Sequence, residues 1–349
     1  MDDRVAPLLL DWYDAHARTL PWRIPPGSGL TADPYCIWLS EVMLQQTTVA
    51  AVKPYFEKFT ARWPDVQALA AADDADIMAE WAGLGYYSRA RNLVACAREV
   101  ARLGAFPDNE DDLRRLPGLG AYTAAAVAAI GFGRRAVVVD ANVERVVARL
   151  FVIDDPLPGA RTEIRATADR ITPDRRAGDF AQAMMDLGAT ICTSRAPRCL
   201  LCPLAEPCRG RALGDPERLP VKPAKKAKAQ RQGRVWWIER DTASGPQVWL
   251  VTRDAKGMLG GMRALPDDGW TARADGTGQP PVAGPWRAAG TVRHSFTHCD
   301  LELALTVHEG DPAMGDQPGE WWPVAAIDQA GLPTLFAKAA RLAIASRAA

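Results

Sequence analysis

The sequence predicts a mainly α-helical domain followed by a smaller α+β domain, and three observations lead there. Before about residue 215, apolar side chains recur at three- and four-residue spacing in alanine-rich runs, as in 124–130 and in the set Val143, Val146, Val147 and Leu150. Beyond residue 233 the period shortens. The runs 235–238 and 248–251 are β-type segments bounded by Gly, Pro and Asp, while Leu301, Leu303, Leu305 and Val307 alternate as in a half-buried strand. A stretch containing several Pro and Lys residues separates the two patterns. The expected organisation is a helical domain over 1–215, a basic linker over 216–233 and an α+β domain over 234–349, closed by a helix from about Leu335 to Ser346.

A chain of 349 residues can bury two substantial cores. No run approaches about 18 consecutive apolar residues, so no membrane span is expected. Asp2 and Asp3 stand where an export leader carries positive charge, which argues for a cytoplasmic protein. Net charge is zero, yet Arg209 to Arg234 holds nine basic residues against Asp215 and Glu217. Such a local excess suits either a solvated linker or a phosphate backbone.

The first chemical signal is the run 40–47, Ser-Glu-Val-Met-Leu-Gln-Gln-Thr. Trp38, Val42, Val49, Val52, Phe56 and Phe59 form an apolar stripe with Glu41 at its edge. A carboxyl there is either an ordinary boundary residue or a proton donor whose pKa is raised by desolvation. The polar run 45–48 reads as a turn, with Thr48 available to cap the next helix.

The second signal is the run 116–123, Leu-Pro-Gly-Leu-Gly-Ala-Tyr-Thr, between two helical stretches within 110–131. Pro117 interrupts the first helix, and Gly118 and Gly120 permit a tight turn. The next helix then opens with free amides, which suit a phosphate oxygen. This is a helix-hairpin-helix pattern, although a plain turn fits the residues too. Asp140, followed by Ala141 and Asn142, reads as a helix N-cap.

The third signal is Cys192-x6-Cys199-x2-Cys202-x5-Cys208, four of the seven cysteines within 17 residues. Thiolates this dense read as metal ligands. Only Cys199 and Cys202 have zinc-knuckle spacing, so irregularly spaced thiolates favour a cuboidal iron–sulfur cluster, with zinc as the alternative. Cys36, Cys96 and Cys299 stand apart and read as small apolar residues.

Together these motifs resemble, in order and spacing, the helix-hairpin-helix DNA glycosylases that carry an iron–sulfur cluster, and within them the branch that excises adenine. The resemblance runs through 20–23, 40–47, the Gly-Leu-Gly-Tyr-Tyr-Ser-Arg-Ala-Arg-Asn-Leu run at 83–93, 116–123, 139–142 and the cysteine array. It implies a mainly α glycosylase domain with one 4Fe–4S cluster held by Cys192, Cys199, Cys202 and Cys208, acting as a monomer on double-stranded DNA near the nucleoid. It implies Glu41 as proton donor, Asp140 as electrostatic or nucleophilic partner, and Tyr122 and Asn142 as residues that position them. Arg18, Trp22 and Gln182 match positions lining the adenine pocket. Gln46 and Tyr86 match residues that wedge or stack into the duplex, and Gly118 and Gly120 the phosphate-gripping hairpin.

The related endonuclease III cleaves the strand with a hairpin lysine. Tyr122 stands in that place and cannot form a Schiff base. The other readings are such a glycosylase/lyase and a non-catalytic lesion-binding protein. The C-terminal part resembles a Nudix-like domain without the glutamate-rich magnesium motif, and so is expected to bind rather than hydrolyse. Its Arg293–His298 run resembles a loop that recognises 8-oxoguanine opposite adenine through Phe296, Thr297 and His298. The resemblance thus implies A:8-oxoguanine or A:G mispairs as substrate. Thr297 for the family's usual serine and Ala141 for a frequent glycine are departures.

Overall fold

The computed structural model describes residues 2–223, 227–254, 257–296 and 298–347. The chain forms two compact units, Met1–Ala224 and Lys225–Ala349. Lys225 and Lys226 of the basic stretch, and Thr297, lie outside the described residues.

The first unit is helical and has two apolar cores. One gathers around Trp38, Phe59, Trp81 and Val100 and includes the helices Pro34–Leu44, Val49–Arg62 and Tyr87–Leu103. The other gathers around Leu9, Val147, Ile164 and Met184, from the helices Asp2–His16, Ala141–Phe151, Arg161–Ile171 and Ala177–Thr190. Tyr122 and Ile130 pack against both cores, so the segment after the glycine turn forms the seam between them.

Local chemistry fixes the elements at that seam. Helix Pro34–Leu44 starts with Pro at its first position, and Asp33 accepts a hydrogen bond from the Tyr35 amide at 2.9 Å. Tyr35, Ile37, Trp38, Leu39, Val42 and Met43 are all buried, so this helix is enclosed on every side. Thr48 caps the following helix through Oγ1 and the Ala51 amide, at 3.3 Å.

The first arm of the hairpin is shorter than the sequence suggested. Its helix covers only Glu110–Leu113, capped by Asn109, and turns lead on to Gly120. Gly118 has φ 76°, and a Cβ there would stand 2.6 Å from Cβ of Asn92, so this position requires glycine twice over. The second arm runs as α-helix over Ala121–Ala126 and widens to a π-helix over Val127–Gly131, a form often found beside functional sites.

The second unit has a three-stranded sheet of order β1-β6-β5, with β1 Ala229–Trp237, β5 Trp286–Ser295 and β6 Cys299–His308. The β1/β6 pair is parallel and the β5/β6 pair antiparallel, with a register shift between Ala288 and Gly290. A smaller antiparallel sheet joins β2 Glu239–Arg240, β3 Gln247–Thr252, β4 Arg263–Ala264 and β7 Glu320–Pro323. Helix Thr334–Ala345 contributes Leu335, Phe336, Ala339, Ala340 and Ala343 to the core between these elements. Strand β1 begins at Ala229, so 229–233 is strand and not linker. Parallel pairing with Cys299–Leu303 gives its backbone the hydrogen bonds that a linker would leave to water.

Candidate active site

A large cavity of the first unit opens at the seam between its cores. Glu41, Tyr122, Asp140 and Asn142 line it, with Arg18, Trp22, Arg23, Gln46 and Gln182 around them. Glu41 comes from a helix of one core and Asp140 from the N-terminus of a helix of the other. Tyr122 stands between, and its hydroxyl donates to Oε2 of Glu41 at 2.7 Å.

Glu41 is only 6% exposed. Burial pushes its pKa up to about 7; the Tyr122 hydrogen bond and the nearby Arg23 pull it down, and the Asp140 charge pushes it further up. A carboxyl so placed is half protonated near neutrality and can give up a proton there. The Tyr122 hydroxyl is held well above its ordinary value by burial and by the two carboxylates, so it remains a donor.

Asp140 does two things at once. Oδ1 accepts from the Val143 amide at 2.7 Å, which caps the helix, and Oδ2 accepts from Nδ2 of Asn142 at 2.8 Å. The helix dipole suits a negative charge at this end. Asn142 is fixed in turn by Arg145, whose Nη2 donates to Oδ1 of Asn142 at 2.9 Å and to the Gly188 carbonyl at 2.7 Å. Arg145 Nε donates to the Cys192 carbonyl at 2.8 Å, so hydrogen bonds run from Asp140 to the first cysteine of the array. A Cβ on Gly188 would lie 2.6 Å from Cβ of Asn142, so the two helices meet this closely only through glycine.

On the other wall, Asp186 is wholly buried and holds two arginines. It accepts from Nε of Arg18 at 2.5 Å and from Nη1 of Arg23 at 2.7 Å, with the Arg18 amide at 3.1 Å. A buried carboxylate is tolerable when it is paired in this way. Asp186, Arg23 and Arg145 were not singled out by sequence reasoning. The signal for Asp186 was available in its spacing from Gln182, two polar residues one helical turn apart within an otherwise apolar run.

Tyr86, Gly118 and Gly120 do not line this cavity. Tyr86 is half exposed, and both Tyr86 and Gln46 have left-handed backbone, φ 50° and 56°. Cys192, Cys199, Cys202 and Cys208 line a separate small cavity with Arg149, Ile191, Ala205, Arg211 and Pro216. Arg149 is buried and donates to Sγ of Cys192 at 3.4 Å and to the carbonyls of Thr193, Ser194 and Leu219. The Arg211 amide donates to Sγ of Cys208 at 3.4 Å. Among the described residues no three His, Cys, Asp or Glu converge closely enough for a single metal ion.

In the second unit, Phe296 and His298 sit in the turn between β5 and β6. The Phe296 ring is partly buried, 4.5 Å from the His294 ring and 5.8 Å from that of Trp270, and His298 is exposed. Lys228 pins the turn by donating to the Phe296 carbonyl at 2.7 Å.

A cavity lined by two carboxyls, one on a helix and one at a helix N-cap, beside the tyrosine of a glycine-hairpin arm fits a base-excision repair protein. Residues 39–171 match the HhH-GPD superfamily base excision DNA repair protein, and residues 232–342 match a NUDIX domain. The adenine DNA glycosylase of Homo sapiens is 33% identical over 376 residues, covering 90% of this chain and 69% of that protein. The adenine DNA glycosylase of Mycolicibacterium smegmatis is 43% identical over 210 residues, 60% of this chain and 70% of that protein. Among solved structures, a thermostable thymine-DNA glycosylase aligns with TM-score 0.54 and 29% identity, over 61% of this chain and 97% of its own. The chain belongs to the adenine DNA glycosylase family.

Proposed function

We propose that this protein hydrolyses the N-glycosidic bond of adenine mispaired with 8-oxoguanine or guanine in double-stranded DNA and leaves an abasic site. The observation that carries this reading is the buried Glu41, hydrogen-bonded to Tyr122 and facing the same cavity as Asp140. The adenine nucleotide must leave the stack to reach that cavity. Glu41 gives its proton to a purine ring nitrogen. The bond from the sugar to the base then breaks, and its electron pair goes to the base, which departs as neutral adenine. The cationic sugar left behind lies against the Asp140 carboxylate, which Val143 and Asn142 hold in place. Water adds to the sugar, and its proton returns to Glu41. The two-carboxyl logic parallels glycoside hydrolysis.

Arg18, Trp22 and Gln182 contact the flipped adenine, while Gln46 and Tyr86 enter the stack that it vacates. Gly118 and Gly120 bring the hairpin amides to the phosphates, a grip that carries no sequence information. Tyr122 offers no amine, so the strand stays intact. Phe296, Thr297 and His298 of the Nudix-like unit inspect the base opposite.

Cys192, Cys199, Cys202 and Cys208 hold one 4Fe–4S cluster. The fit rests on four thiols lining one cavity, with a buried guanidinium and an amide donating to sulfur. When bound, the cluster would tie the 192–208 loop together through these four thiolates.

The experiment is direct. Purified protein is incubated with a duplex holding adenine opposite 8-oxoguanine, and free adenine and strand breaks are measured with and without alkali. Free adenine with breaks only after alkali is the expected result. Breaks without alkali would favour a lyase, and no adenine a binding protein.

A further inference from the structure

Arg89 is 8% exposed and joins two loops. Its Nη1 donates to the carbonyls of Val42 at 3.1 Å and Met43 at 2.9 Å. These belong to the last turn of Pro34–Leu44, where helical amides no longer follow to take them. Its Nη2 donates to the carbonyls of Leu84 at 3.2 Å and Gly85 at 3.3 Å, and to Oγ1 of Thr47 at 3.3 Å. The guanidinium carbon also lies 5.3 Å from the Trp81 ring centroid and 5.4 Å from that of Tyr86.

The loops gripped in this way are those that carry Gln46 and Tyr86. Both residues have the left-handed backbone that non-glycine residues keep only where their surroundings over-determine it. A planar fork with donors in fixed directions can hold two loops at once, and stacking fixes its plane. An ammonium is a point charge with no such fork.

We propose that Arg89 is a positioning residue that sets Gln46 and Tyr86 at a fixed separation, so that both enter the DNA stack together. This rests on the reading of Gln46 and Tyr86 as the residues that wedge the duplex. Arg89 touches no base; it acts only through these two side chains.

The test uses the full-length protein and a duplex with 2-aminopurine beside the target adenine, whose fluorescence rises when the stack opens. Arg89→Lys should blunt that rise and slow single-turnover excision by roughly tenfold or more, the usual cost of slight misplacement. In a Gln46→Ala/Tyr86→Ala background, adding Arg89→Lys should change neither readout further, because the brace then has nothing to hold. Equal slowing in both backgrounds would make Arg89 a general support of the fold and overturn the proposal, leaving the wedge reading intact. Wild-type fluorescence and rate in Gln46→Ala/Tyr86→Ala would sink the wedge reading and the proposal with it. Should Arg89→Lys not fold, Thr47→Val, which removes one acceptor of the fork, takes its place in the same cycle under the same criteria.

Discussion

The Tyr122 hydroxyl donates to Oε2 of Glu41 across 2.7 Å, and this one bond ties the hairpin arm to the helix of the buried acid. It also opposes the main effect of burial. Desolvation raises the Glu41 pKa, whereas this hydrogen bond favours the ionised form and lowers it.

Burial sets the pH limb of the reaction. With Glu41 raised to about 7, single-turnover excision should be flat in acid and fall about tenfold per pH unit on the alkaline side. The same shift has a stability sign. Its ordinary value is 4.5, so the stabilisation is complete below that pH and is lost as pH rises through about 7. Glu41→Gln should release no adenine and, in urea at pH 8, be more stable by up to on the order of 3 kcal/mol. A rate above about a tenth of wild type would remove Glu41 from the acid role.

Tyr122→Phe removes the interaction that lowers the Glu41 pKa. The alkaline limb of its rate profile should therefore move to higher pH. A midpoint unchanged or shifted down would show that the hydroxyl does not act on the acid.

Asp140→Asn separates the two tasks of that residue. Asparagine caps helices about as well as aspartate, so the Val143 bond should persist, but its amide nitrogen cannot accept from Asn142 and the thermal midpoint should fall modestly. The negative charge is lost, and excision should fall by roughly a hundredfold to a thousandfold, the usual size of such electrostatic effects. Normal turnover would leave Asp140 as a cap alone.

The purified protein should be brown, absorb broadly near ~400 nm and contain about four irons per chain. Stoichiometric zinc without visible absorbance would refute the cluster. Cys199→Ala should lose the colour and weaken DNA binding, since the chain from Cys192 through Arg145 to Asn142 is anchored in that loop.

A fragment ending at Pro223 should excise adenine yet lose its preference for 8-oxoguanine over guanine as the partner. A cut near Arg218, just past the 215 boundary suggested by composition, removes the Leu219 carbonyl that buried Arg149 needs and the Val221 carbonyl that accepts from the Leu157 amide. Full-length Phe296→Ala/His298→Ala should show the same loss of preference. Discrimination retained by the fragment would count against a role for the second unit.

The two-unit organisation was legible because hydrophobic period is a local property. A change from helical to strand-like spacing is visible within a dozen residues, as in the alternation at 301–307, and the Cys192–Cys208 spacing is likewise local. The glycine turn at 116–123 announced itself through Pro117 and Gly118, whose backbone preferences need no partner. The linker's end was not legible, since strand β1 exists only because β6, some seventy residues on, pairs with it.

Sequence by itself supplied the residue types: a glutamate at the edge of an apolar stripe, an aspartate at a helix start, a tyrosine just after a glycine turn. Only the tertiary structure decided that Glu41 from one core, Asp140 from the other and Tyr122 at the seam line one cavity. It alone revealed Asp186 holding Arg18 and Arg23, and Arg89 holding the two loops. The reason is physical. A proton affinity, or a guanidinium's set of acceptors, depends on desolvation and on neighbours within a few ångströms, and those neighbours come from distant parts of the chain.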